Sequence, residues 1–351
     1  MKKQNLMLNK IILLLTIIPA FCFGQWNQLG STTNGISSND KLGDFNAIAI
    51  DATGNTMAVG SSRNSDVGQY FGYAKVLDWD GATWVQRGTT FLGSAVFEGT
   101  GSAVDLSADG NTLVVSSPWG LNSLGYKSGL VNVYDWMGSA WVQRGLTIEG
   151  EGNSNPLLDG DIFGRAVAIS PDGNYLAVGA PSNTQAGGVL QIQGHARVYH
   201  WNGQSWVQMG LDIDGIVSLE EFGLTIDISA DGTKLSVGGR SFTLWSGGNP
   251  VSQDIGIVRN YAWDGAQWNL RGTPMMGAAQ GDKFGSSVSL SDDGNTLAIS
   301  STKTNGSNAS TQIFEWANSQ WTSKGSAVAG INNAVAGPSN DLSAIGNRIV
   351  I

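Results

Sequence analysis

Five pairs of tryptophans, the members of each pair five positions apart, constrain this chain more than any other feature. They are Trp79 and Trp84, Trp136 and Trp141, Trp201 and Trp206, Trp263 and Trp268, and Trp316 and Trp321. The residues between them are DGAT, MGSA, NGQS, DGAQ and ANSQ. Asp-Gly and Asn-Gly are strong hairpin signals, because both dipeptides accept positive φ. Each second Trp opens a strand of the WVQRG type, followed by a G-x-x-apolar-x-G segment such as Gly145, Ile148 and Gly150, or Gly210, Ile213 and Gly215. Successive second tryptophans lie 57, 65, 62 and 53 residues apart. Self-similarity at such a spacing marks a repeat architecture.

A second landmark runs FGRAVAISPDGNYLAVGAP over residues 163–181. Related copies are TGSAVDLSADGNTLVVSSP from Thr100, FGLTIDISADGTKLSVGG from Phe222 and FGSSVSLSDDGNTLAIS from Phe284, with a weaker one, FNAIAIDATGNTMAVG, from Phe45. Apolar residues alternate with small ones on both sides of a glycine turn, which predicts two antiparallel strands. The unit therefore has four strands, A to D. A and B flank the Asp-Gly turn, C is the V-x-V-Y-x-W type, and D starts at the second Trp. One small sheet cannot bury both faces, and stacking such sheets in a ring solves the problem, so the expected fold is an all-β propeller of four-stranded antiparallel blades. A β-solenoid is the structural alternative, but its rungs need no Trp hairpin in each unit.

The expected organisation is a signal peptide over 1–24 and a propeller over 25–351. Within it, 25–35 would be a closing strand and the blades would span about 36–93, 94–150, 151–215, 216–277, 278–330 and, incompletely, 331–351. Six blades are thus begun, and seven would be possible in a longer protein. Trp26, Gln28 and Gly30 match Trp84, Gln86 and Gly88, so the chain opens with an orphan strand D able to complete the last blade. Asp341 to Ile351 resemble the end of a strand A, its turn at Gly346-Asn347 and the start of a strand B, which suggests a truncated chain.

The first 24 residues read as a secretory signal. Lys2, Lys3 and Lys10 precede an apolar run from Ile11 to Phe23, and Gly24 suits the cleavage position. Thirteen apolar residues fall short of the roughly 20 needed to span a bilayer. Removal of these residues would take the net charge from −9 to −12 and leave no cysteine, since Cys22 is the only one. Phe21 stands where a lipoprotein signal wants a small residue. The expectation is a secreted or cell-surface monomer, held together by packing alone, with no membrane insertion after cleavage. The acidic balance argues against general nucleic-acid binding, which needs a basic surface. A single Cys excludes a disulfide framework and a thiolate metal cluster.

Phe163-Gly164, then Gly179-Ala180-Pro181 and Val198-Tyr199, resemble the FG-GAP repeat of integrin-α-like propellers. The resemblance covers roughly residues 36–351, is best in the third unit, and decays elsewhere to Ser116-Ser117-Pro118, Gly238-Gly239-Arg240 and Ser300-Ser301-Thr302. It implies an extracellular adhesion or recognition module. The export signal with Trp-rich units is similar to secreted surface proteins of the Bacteroidetes type. Many FG-GAP repeats carry a calcium loop spaced D-x-D-x-D-G. Here the turn is only Ser170-Pro171-Asp172-Gly173 or its equivalents, and a single carboxylate in a tight turn is too few oxygens for Ca²⁺. No metal and no cofactor is therefore expected.

The only histidines are His195 and His200. They match Leu130 and Asp135 of the second unit, which speaks for structural rather than triad roles. Glu98, Asp161, Glu220 and Asp282 each stand two residues before the Phe or Thr that opens strand A. A propeller would place them around one channel end, where they could form an acidic ring or accept hydrogen bonds from their own loops. The long B–C segments 118–129, 181–194 and 240–256 share a face with the D–A connections, and variable loops on a rigid scaffold are where recognition resides. Trp119, Tyr126 and Lys127 in the first, and Arg240, Trp245 and Gln253 in the last, are the expected ligand-binding residues. The expected function is non-catalytic binding of an extracellular protein or glycan. The alternatives are a hydrolase or lyase acting on polysaccharide, whose acid pair would need a spacing that sequence cannot show, or a structural module of an adhesin.

Overall fold

The computed structural model describes residues 28–37, 40–44, 46–63, 69–152, 160–183, 192–246, 249–302, 309–330 and 339–351. The signal segment, Trp26 and Phe45 lie outside the described residues, and so does the side chain of Trp245. All regular structure among the described residues is β.

The glycine turns follow from their residues. Gly110, Gly173, Gly232 and Gly294 sit at φ between 66° and 72°, a region costly for a side chain. The acid before each glycine is consumed locally. Ser107, Ser170, Ser229 and Ser291 donate their hydroxyls to Asp109, Asp172, Asp231 and Asp293 at 2.5–2.6 Å. Each carboxylate also accepts the amide two residues on.

Each turn joins strands A and B of a sheet, and strands C and D complete it. The first blade runs Ile48–Ile50, Thr56–Ser61, Tyr73–Trp79, Trp84–Gln86. The second runs Val104–Leu106, Thr112–Ser117, Leu130–Trp136, Trp141–Gln143. The third runs Ala166–Ile169, Tyr175–Ala180, His195–Trp201, Trp206–Gln208. The fourth runs Thr225–Ile228, Lys234–Gly239, Ile257–Trp263, Trp268–Leu270. The fifth runs Phe284–Leu290, Thr296–Ser301, Ser310–Ala317, Gln320–Ser323. Asp341–Leu342 and Ile349–Val350 form the first hairpin of a sixth.

Strand D is not one run. In the second blade Trp141–Gln143 pairs with the far end of strand C, and Ile148–Glu149 pairs with its start. The break falls at Gly145, where φ is 79°. The same break recurs in every complete blade, and it serves the joint to the next one. A Cβ on Gly88, Gly145, Gly210 or Gly272 would stand 2.8–2.9 Å from a Trp ring of the following blade. The residue before each glycine offers its carbonyl to the second Trp of that blade: Trp141 Nε1–H donates to Arg87, Trp206 to Arg144, Trp268 to Met209 and Trp321 to Arg271, at 2.9–3.2 Å. The Trp pairs therefore pack between blades at the rim. Gln28 to Gly30 repeat the arrangement against the first blade, with the Trp84 indole donating to Leu29 at 3.1 Å. The N-terminal segment thus occupies the place that a preceding blade fills elsewhere.

The hub is made of small side chains. Ala103 and Ala166 at strand A and Ala177 on strand B are fully buried, and Val, Ile and Leu from successive blades close over them. The FG motif docks here. Phe163 and Phe222 are buried between blades, and Phe222 bridges in parallel to Gly194 at the start of the preceding strand C. Strands A meet across an axis as well as side by side. Asn46 of the first blade donates to the Arg165 carbonyl of the third at 3.4 Å. Beyond burial, the Asp341 charge of the sixth unit raises the pKa of Asp105 in the second, and Asp341 and Asp105 raise that of Asp227 in the fourth. A linear stack would hold such strands apart, whereas a wheel gathers them.

Candidate functional site

B–C and D–A connections emerge on one face. Between the first and second blades they enclose a cavity of about 400 Å³, lined by Ser62, Arg63, Tyr70, Phe97, Trp119 and Lys127. Trp119 is fixed from below: its ring covers Gly99, where a Cβ would come within 2.5 Å, and its amide donates to the Glu98 carbonyl at 3.3 Å. Tyr70 and Phe97 stack with ring centroids 5.5 Å apart and remain 42% and 45% exposed. Both hold positive φ, and the Phe97 amide donates to the Gln69 carbonyl at 2.9 Å. Arg63 lies 5.9 Å from the Tyr70 ring centroid. A smaller hollow shares Ser62, Arg63 and Trp119 and adds Lys41, Asp44, Ser102 and Arg165.

Of the six residues expected to bind ligand, Trp119 and Lys127 meet in this cavity. Tyr126, next to Lys127, turns instead onto Gly152, where a Cβ would meet its ring at 2.3 Å. Arg240 pairs with Glu221 at 3.0 Å. Burial, and then the neighbouring Arg240 cation, lower the pKa of Arg165. Trp245 lies on a hairpin of Leu244–Ser246 and Asn249–Ser252 inserted in the fourth B–C connection. Gln253 follows that hairpin and accepts the Gly281 amide through its carbonyl at 3.0 Å. The sequence did not single out Arg63, Tyr70 and Phe97: the first two stand in a connection with no repeat counterpart, and Phe97 precedes Glu98 at a position whose residue type does not repeat, Leu219 being its equivalent.

The four acids before strand A do not present an open ring. All are buried. Glu98 accepts the Ser94 and Ala95 amides, Glu220 those of Ile216 and Val217, and Asp282 those of Ala278 and Ala279, at 2.6–3.2 Å. Glu220 is also held by the buried guanidinium of Arg259. Asp161 departs from the pattern: one of its oxygens is buried without a partner, and burial together with the Glu151 charge pushes its pKa up to about 7.

His195 is buried with Nδ1 3.7 Å from Asp212, and burial and the Arg197 cation push its pKa down to about 4. It is therefore neutral near pH 7. Glu151, His195 and Asp212 each bring one ligand atom within 4.8 Å of the others. Arg197, however, already pairs with both carboxylates, and its bidentate contact to Asp212 is 2.8–2.9 Å. The cluster reads as an arginine-centred ion network. His200 packs its ring 4.8 Å from that of Tyr175. Among the described residues no helix is long and apolar enough to cross a membrane.

No protein-family model and no curated protein sequence matches the chain. Solved structures do. A periplasmic gluconolactonase from Pseudomonas aeruginosa aligns at a TM-score of 0.52 and 16% identity, over 79% of this chain and 70% of that one. A Lactobacillus plantarum protein aligns at 0.51 and 14% identity, over 79% and 69%. TolB from Acinetobacter baumannii aligns at 0.44 and 14%, over 81% of this chain and 54% of its own length. Likeness at such identity shows the fold, and the fold is a β-propeller.

Proposed function

We propose that this protein is an exported, non-enzymatic binding module, related to FG-GAP propellers, that recognises an extracellular protein or glycan through the loop face of its first two blades. The observation that carries the reading is the cavity at Trp119: exposed aromatic rings and cations on variable loops, mounted on a rigid wheel. Binding sites are concave, largely apolar and furnished with a few polar groups, and a contiguous exposed apolar patch rimmed by polar residues marks an interaction site or ligand groove. The His195 network supports the non-catalytic part of the reading, since its carboxylates are committed to Arg197.

Glycan and extracellular-protein arrays probed with the exported chain test this. At least one captured ligand should lose most of its binding to Tyr70→Ala, an exposed position whose change leaves the core intact. Undiminished capture by that variant would sink the assignment of the face, and turnover of the captured ligand would sink the non-enzymatic reading.

A further inference from the structure

We infer that the seam between the sixth hairpin and the first blade is a docking site for one extended segment of a partner polypeptide, which enters as a β-strand of the strand-C kind. Both walls of the seam keep the register of the wheel. On one side Gln28 donates to the Gly30 carbonyl and to Thr32 at 3.1 and 3.2 Å, as Gln86 does to Gly88 and Thr90. A Cβ on Gly30 would meet the Trp79 ring, as one on Gly88 would meet that of Trp136. Residues 28–30 therefore stand where a strand D belongs. On the other side Asp292 donates its amide to the Ala344 carbonyl at 2.8 Å, Leu342 donates to the Ser289 hydroxyl at 3.0 Å, and Gly346 covers Thr296 as Gly110 covers Thr56. The hairpin therefore supplies strands A and B. In the complete blades strand C pairs with B on one flank and D on the other. Among the described residues no strand pairs with the outer edge of Ile349–Val350. Ser343 donates inward to the Arg348 carbonyl at 3.0 Å. Successive residues of a strand turn their backbone groups to opposite sides, so Ile349 and Ile351 turn theirs to the free edge.

Exposure marks the same place. Ile48 and Ile50 are 56% and 52% exposed, whereas their counterparts on the strands A of the second to fifth blades, from Val104 and Leu106 to Val288 and Leu290, are 3–8% exposed. Val350 is 63% exposed, whereas its counterparts Ala58, Val114, Ala177, Ser236 and Ala298 are fully buried. An unpaired edge beside an apolar face is a template for strand addition.

The repeat states what fits. Val114 pairs with Val133 and Leu113 with Tyr134. A strand entering in that register sets its second and fourth residues against Ile48 and Ile50, as Val131 and Val133 meet Val167 and Ile169. Its fifth residue turns to the opposite side, as Tyr199 turns to the second blade. The occupant is thus an extended segment with apolar residues at positions two and four and an aromatic one at five. A helix has its backbone groups engaged already, and a sugar has no ladder to extend. A second copy of this chain has the strands C of its complete blades paired on both flanks, so the donor is a segment unpaired before capture.

A fluorescent peptide copying residues 129–137, titrated against the protein and followed by polarisation, decides the matter. It should bind saturably at one site, slow hydrogen exchange at the Ile349 and Ile351 amides and raise the thermal midpoint. The same peptide with Val131→Ser and Val133→Ser should bind at least about tenfold more weakly, a factor of ten being about 1.4 kcal/mol. Ile50→Asp in the protein, at a position bare in the free wheel, should weaken capture by a similar factor and leave the midpoint of the unliganded protein unchanged. No binding, equal binding of the serine peptide, or capture indifferent to Ile50→Asp would overturn the inference. Protection of the Ile349 and Ile351 amides in the peptide-free monomer would overturn it too, by giving the seam to the chain itself. Protection that appears only as the protein self-associates would give the seam to a second copy, with the same result. The seam does not involve Trp119 or Tyr70, so its failure leaves the reading of the loop face standing.

Discussion

The joint between the second and third blades and the joint between the third and fourth have one shape and two chemistries. At the former, Arg144 reaches across the rim, donates to the Gly173 carbonyl and the Asn174 side chain at 3.0 and 2.6 Å, and lies 4.9 Å over the Trp201 ring. At the hub, Asp105 accepts the Ile169 amide at 2.7 Å. The joint between the fourth and fifth blades repeats both devices with Arg271 and with Asp227, which accepts the Leu290 amide at 2.6 Å. The third-to-fourth joint has neither. Met209 stands for the arginine, Thr233 for its asparagine partner and Ala168 for the hub aspartate. It keeps the Trp268 indole bond and an apolar interface of Ile226, Ile228, Leu235 and Val237 against Ala166, Ala168, Ala177 and Ala196. Close packing and the indole bond thus suffice to set the geometry, and the polar devices add to it.

The largest effect should come from converting one kind of joint into the other by half. Arg144→Met removes two charge-assisted bonds and the ring contact while leaving their partners in place, so denaturant titration should show a loss of about 2–3 kcal/mol. Adding Asn174→Thr, which completes the third-to-fourth pattern, should recover part of it. No loss in the single variant would mean the latch is ornamental.

Next in size, per group and per unit of pH, is a titration effect at the joints that own an aspartate. Burial, with repulsion from Asp341, pushes Asp105 up to about 7; burial, with Asp341 and Asp105, pushes Asp227 up to about 8. Both values lie above the 3.8 of an unfolded aspartate, so the folded state keeps protons that the unfolded chain releases. Their contribution to stability should therefore be fully present below about pH 4 and decline as pH rises through 7 to 8, by up to about 1.4 kcal/mol per unit for each group. In the Asp105→Asn/Asp227→Asn variant an amide oxygen can still accept the Ile169 and Leu290 amides, and the decline between pH 5 and 8 should flatten. A decline of the same steepness would place its source elsewhere.

The smallest effect concerns a chain of amides on the turn face. Ala52 donates to Ala108, Ala108 to Pro171, Ala230 to Asp292 and Asp292 to Ala344, at 2.8–3.0 Å. The series skips the third-to-fourth joint, since Pro171 has no N–H to offer Ala230. Pro171→Ala supplies the donor but also frees the unfolded chain. The net change should stay within about 1 kcal/mol, and hydrogen exchange should show a newly protected amide at 171. An amide that exchanges freely there would show that the turn, not the proline, breaks the series.

Much of the wheel was legible because its devices repeat. The Trp pairs, glycine turns and small strand-A residues occur in register, and Gln28 and Gly30 match Gln86 and Gly88 in the sequence alone. The break in strand D was visible as a glycine without its reason, which lies in the next blade's indole. The cavity was half legible: Trp119 stood out by breaking the tryptophan pattern and Lys127 by lying in a long B–C segment, whereas Arg63, Tyr70 and Phe97 carry no such signal and meet only because two loops converge. Glu98, Glu220 and Asp282 were placed by register. Their commitment to loop amides depends on backbone angles that side-chain identity does not reveal, such as the positive φ at Phe97 and Leu219.

Each indole bond at the rim links residues only 50 to 62 positions apart. The crossing from Asn46 to Arg165 spans 119. Short loops close at lower entropic cost than long ones, and nearest-neighbour coupling lets order spread along a chain. As the polypeptide is made, every new sheet can be captured by the one before it through its tryptophan, and the contact across the axis must wait until the third has been synthesised.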